Sequence, residues 1–113
     1  MKRLTLDNFT EEIIESGDKT LVLFKSESCH LCVGLSLIMP RIERRFRDKI
    51  KFAYVDVTAS EDLSDIFSIE GVPTIYYFND GRSEEVEYPS SPDLFSGYSE
   101  DYLIAFLRRE LQQ

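Results

Sequence analysis

The chain has 113 residues, 42% of them hydrophobic, and its 8 Phe and 6 Tyr suffice to fill one core, so a single domain over residues 1–113 is expected. A formal charge of −8 disfavours nucleic acid as a partner, because phosphate binding requires a basic surface that releases counterions. The apolar runs, such as Thr20 to Phe24, fall far short of the ~20 residues needed to cross a bilayer, and Met1-Lys2-Arg3 leads into a polar stretch rather than the apolar core of a secretory leader. A cytoplasmic protein with no membrane partner is therefore expected.

Residues 2–5 read as a short strand, after which Asn8 is expected to cap a helix with Glu11 three places on and Phe9, Ile13 and Ile14 on one face. Gly17-Asp18 ends it. Leu21 to Phe24 has the continuous apolar character of a central strand covered on both faces, and Phe52 to Val57 reads as a second. Between them a long helix runs from about Cys29 to Asp48, with Leu35, Ile38, Met39, Ile42 and Phe46 at helical spacing and Pro40 expected to bend it near Ser36 and Leu37. Ser60 to Phe67 forms a shorter helix. Thr74 to Phe78 and Glu84 to Tyr88 then pair across an Asn79-Asp80-Gly81 turn, and Ser99 caps a final helix bearing Tyr102, Leu103, Phe106 and Leu107. The order βαβαβαββα predicts an α/β fold with a mixed sheet.

The chain's two cysteines, Cys29 and Cys32, bracket His30 and Leu31 where the first central strand gives way to the long helix. A cysteine at a helix N-terminus meets unpaired N–H groups and the positive end of the dipole, which lower a thiol pKa from ~8.5 into a range of ~3.5 to 7.5. Cys29 is the expected nucleophile toward a substrate disulfide and Cys32 the resolving thiol. His30 is expected to tune the pair, since an imidazolium favours the neighbouring thiolate. Two cysteines and one histidine cannot close a four-ligand zinc site within one chain, so neither metal nor cofactor is expected.

These features together resemble the thioredoxin superfamily: Leu4 to Phe9 is similar to its opening, Leu21 to Phe24 to the strand before its active site, Cys29-His30-Leu31-Cys32 to its redox pair, and Gly71-Val72-Pro73-Thr74 to its cis-proline loop. The resemblance implies a thioredoxin fold, a central mixed sheet flanked by helices on both faces. It also implies a thiol–disulfide oxidoreductase in which Val72, Pro73, Thr74 and Leu31 contact the substrate. The implied partners are disulfide-containing proteins and a thiol reductant such as a thioredoxin reductase or glutathione, met by a monomer.

Three departures mark the chain as atypical: Ser28 replaces the family's usual tryptophan, Leu23 replaces its buried acid, and Pro40 lies one helical turn later than the usual kink. His30-Leu31 also differs from the family's common dipeptides, which implies a more oxidising disulfide than in a housekeeping thioredoxin. The competing function is a non-enzymatic interaction module or redox sensor on the same fold. The segment Tyr88 to Ser96 is longer than the corresponding connection in a minimal thioredoxin, and its place, beside the disulfide or at the sheet edge, is open from sequence.

Overall fold

The computed structural model describes residues 1–112 and arranges them in chain order as β1 (Lys2–Arg3), α1 (Leu6–Phe9) continuing into a π-helical segment (Thr10–Glu15), β2 (Thr20–Lys25), α2 (His30–Phe46), β3 (Lys51–Asp56), α3 (Glu61–Ile66), β4 (Thr74–Asn79), β5 (Arg82–Glu85) and α4 (Glu100–Leu111). Five strands form one sheet in the order β1-β3-β2-β4-β5. The first three neighbours pair in parallel and the last two antiparallel, which is the mixed sheet expected. No helix among the described residues is long and apolar enough to cross a membrane.

β2 lies at the centre because both of its faces must be covered. Leu21 and Leu23 enter a cluster built by Leu35, Met39 and Ile42 of α2 and Leu103 and Leu107 of α4. Val22 and Phe24 turn to the other side, among Leu4, Phe9, Ile13 and Leu63. Alternate residues of one strand thus serve two cores, as the period of two requires. Each fully buried aliphatic or aromatic side chain here contributes about 1.5–3 kcal/mol.

Several boundaries differ from the sequence expectations. Thr5, not Asn8, is the N-cap of α1; the Asn8 carboxamide occupies the third helical position, where its oxygen accepts from the Thr5 N–H at 2.9 Å and its nitrogen donates to the Arg3 carbonyl at 3.1 Å. Phe9 and Ile13 are buried as expected, whereas Ile14 is 46% exposed, one step of about 100° past Ile13 and off the buried stripe. β5 is shifted toward the turn and stops at Glu85, since the hairpin loop is reduced to Asp80-Gly81, both at positive φ (55° and 79°), a type I′ geometry. Pro40 lies within α2, which runs unbroken from His30 to Phe46.

Candidate active site

Cys29 is the N-cap of α2, with extended backbone (φ −84°, ψ 112°), so its sulfur projects over the first turn of the helix. The Cys32 N–H donates to Cys29 Sγ at 3.0 Å, and the Cys29 N–H is held by the Ser26 carbonyl at 3.2 Å, closing the turn that delivers the cysteine from β2. Cys29 and Cys32 are joined in a disulfide with Cα atoms 5.1 Å apart. Cys29 is half-buried and Cys32 is buried, an asymmetry that leaves the first sulfur accessible and the second sheltered beneath it. His30 is exposed and Leu31 half-buried on the same turn.

The Val72–Pro73 peptide bond is cis, and the Thr74 hydroxyl donates to the Gly71 carbonyl at 2.6 Å across the turn that contains it. Thr74 pairs with Phe24 in the sheet, so this turn stands at the same end of the sheet as the loop leading to Cys29. Among the described residues no backbone hydrogen bond engages the N–H or carbonyl of Val72, which lies just outside β4. The approach to the turn is set by α3. Its C-terminus is closed by an Ile69 N–H to Ser64 carbonyl bond at 2.9 Å, with Ser68 in the left-handed region at φ 52°.

Leu23 is fully buried in the α2-side core, so no acid lies at that position. A cleft of about 400 Å³ opens instead on the Cys32 side, where Lys25, Glu27, Tyr54 and Asp56 share its wall with Cys32. Lys25 lies 4.5 Å from the Tyr54 ring centroid, and Asp56 accepts from the Thr58 and Ala59 N–H groups at 2.9 and 3.3 Å. Tyr54 and Asp56 were not singled out by the sequence. Their signal is positional, since β3 pairs with β2 in register and places them opposite Leu23 and Lys25.

The Tyr88 to Ser96 segment belongs beside this site rather than at the sheet edge. Gly34, two residues beyond Cys32 in α2, faces the Phe95 backbone so closely that a Cβ there would lie 2.8 Å from the Phe95 carbonyl carbon. Tyr88 folds over Gly97 and packs edge-on against Tyr98, ring centroids 5.2 Å apart. Leu94, at the tip, is 93% exposed.

A thioredoxin family model matches residues 1–104. The chain belongs to the thioredoxin family. Among related thioredoxin-domain proteins, it is 34% identical over 93 residues to protein disulfide-isomerase erp38 of Neurospora crassa, covering 79% of this chain and 25% of that protein. It is 32% identical over 76 residues to the thioredoxin of Buchnera aphidicola subsp. Schizaphis graminum, covering 67% of this chain and 70% of that one. Human protein disulfide-isomerase A6 is 31% identical over 84 residues, 71% of this chain and 19% of its own length. The chain spans about a quarter of the length of the fungal disulfide isomerases it matches.

Proposed function

We propose that this thioredoxin-family chain is a thiol–disulfide oxidoreductase acting on protein disulfides, with Cys29 as nucleophile and Cys32 as resolving thiol. The observation that carries this is the placement of Cys29 Sγ at the N-cap of α2, accepting the Cys32 N–H at 3.0 Å, because the same donor and the helix dipole favour a thiolate in the reduced protein.

The reaction follows from the asymmetry of the two sulfurs. The Cys29 thiolate attacks one sulfur of the substrate disulfide; a Cys29–substrate bond forms as the substrate S–S bond breaks, and the second substrate sulfur leaves as a thiolate. Cys32 then loses its proton and attacks Cys29 Sγ, forming the intramolecular disulfide and releasing the first substrate sulfur. Two electrons pass from the dithiol to the substrate, and a thiol reductant restores the pair. With Leu23 in place of an acid, two carboxylates share the cleft with Cys32, Glu27 and Asp56, and we assign that proton to Glu27 because Asp56 already accepts from the Thr58 and Ala59 N–H groups.

Val72 presents free backbone groups at the cis-proline turn, and we assign them to pairing with an extended substrate segment, with Pro73, Thr74 and Leu31 shaping the contact. His30, exposed beside Cys29, favours the thiolate when charged and so makes the disulfide more oxidising.

Catalysed reduction of insulin in dithiothreitol is the test: Cys29→Ser abolishes it, while Cys32→Ser accumulates a mixed disulfide. Turnover surviving in Cys29→Ser overturns the assignment. Equilibration with glutathione addresses the oxidising strength; a potential above about −270 mV is expected, and one at or below it removes that part of the proposal.

A further inference from the structure

Beside the cis-proline turn lies a groove of about 340 Å³ whose wall is formed by residues 68–74 together with Glu85, Tyr88 and Tyr98. Two carboxylates, Glu70 and Glu85, line it, and no lysine, arginine or histidine does. Neither carboxylate forms an ion pair among the described residues. Glu84, its neighbour on β5, lines a separate groove together with Asp80, Arg82 and Glu110. Successive residues of the edge strand thus point to opposite faces, and only Glu85 of the two reaches the groove walled by Tyr88 and Tyr98.

Glu85 sits among tyrosine hydroxyls. It is directly opposite Tyr76 across the hairpin, and burial first, then the Glu85 carboxylate, push the hydroxyls of Tyr76 and Tyr98 above the ordinary tyrosine range. Tyr88 completes the wall from the 88–96 segment. It is held there by Gly97, at φ 72°, where a Cβ would lie 2.8 Å from the Tyr88 hydroxyl, and by the edge-on Tyr98 ring.

We propose that this groove is a substrate subsite for a lysine or arginine side chain close in sequence to the cysteine under attack. The inference rests on the exchange function proposed above and adds to it a charge preference. An extended segment laid along the free backbone of Val72 alternates its side chains about the strand, so a residue flanking the reacting cysteine is directed toward the groove floored by Val72 and Pro73. There the carboxylates of Glu70 and Glu85 and the Tyr88 ring offer a cation both opposite charge and an aromatic face. The chain's net charge of −8 favours the approach of basic substrates from a distance, so the subsite must be separated experimentally from that general field.

The test uses the reduced 113-residue chain and synthetic peptides in which a single cysteine is held as a mixed disulfide with 2-mercaptoethanol. The flanking residues are Lys, Gln or Glu in otherwise identical sequences. At physiological salt, where screening suppresses long-range steering, the Lys peptide is expected to react about fivefold faster than the Glu peptide. Glu85→Lys erases or inverts that order, read as the ratio of the Lys-peptide to the Glu-peptide rate within each variant, and Glu85→Gln, the gentler change, gives an intermediate ratio. Glu11→Lys makes the same change in net charge at an exposed position in the π-helical segment and leaves the order intact. Equal rates for the three peptides with the wild type, or an order lost equally in Glu11→Lys, overturn the subsite while leaving the exchange function standing. No reaction with any of the peptides defeats both.

Discussion

The two faces of the sheet are covered in different ways. On one, two long helices, α2 and α4, lay a mixed core over the strands, with Leu35, Met39, Ile42, Leu103 and Leu107 packed alongside Phe46, Tyr77 and Phe106. On the other, short helical segments cover a cluster of rings in which Phe67 touches Phe9, Phe24, Tyr76 and Phe78 at centroid separations of 5.3 to 5.8 Å. The difference divides the labour at the site. The long-helix face fixes the helix whose first turn holds Cys29 and Cys32, whereas the ring cluster around Phe67 fixes the end of α3 and so the path of residues 68–73 into the cis-proline turn.

Substitutions on each face break this division if it is wrong. Leu35→Ala, at a fully buried position one turn from Cys32, is expected to cost about 2–5 kcal/mol in denaturant unfolding and to shift the reduction potential as well. Phe67→Ala, at a half-buried ring, is expected to cost about 2 kcal/mol, to leave the potential unchanged and to raise the KM for protein disulfides. A potential shift in Phe67→Ala equal to that in Leu35→Ala ends the comparison.

Gly34→Ala probes the seam between α2 and the 88–96 segment. Its methyl group meets Phe95 backbone rather than a yielding side chain, so a loss of about 1–3 kcal/mol is expected, with faster amide exchange at Gly97, whose N–H now donates to Asp93 at 2.8 Å. Ser68→Gly works in the opposite direction: relief of a left-handed serine at the α3 terminus is expected to add about 0.5 kcal/mol to stability.

The smallest effect concerns pH. Burial, then the neighbouring Glu84 carboxylate, raise the Glu110 carboxyl above its ordinary value. Protonation is therefore favoured in the folded state: the stabilisation is complete below the unfolded pKa of ~4.3 and is lost as pH rises through the higher folded value. Glu110→Gln is expected to flatten that decline and to be slightly more stable than the wild type at neutral pH, measured as Tm from pH 4 to 8.

Much of this was legible in the sequence, for physical reasons that differ by element. β2 and α2 declared themselves through hydrophobic period, and the cysteines through their spacing at the junction. The cap of α1 did not, because Thr5 and Asn8 are both capping residue types and the choice rests on the tie between Asn8 and the end of β1. The Tyr88 to Ser96 segment was visible as an extension but could not be placed, since its anchor is a contact with Gly34, 61 residues before Phe95 in the chain. That glycine, inside a helix that gains nothing locally from it, was the available signal of a close backbone approach. The groove beside the turn was hidden altogether, because Glu70, the Glu85–Tyr88 stretch and Tyr98 come from three separate places in the chain.

The borders of the sheet carry one more consequence. β1 is two residues long and reads Lys2-Arg3, and β5 reads Arg82-Ser83-Glu84-Glu85 with every residue exposed. Short, charged borders resist the strand-to-strand pairing between molecules that leads to aggregation. A protein whose proposed task requires it to offer unpaired backbone at Val72 to extended partners thus carries, at both borders of its sheet, strands poorly suited to receive them.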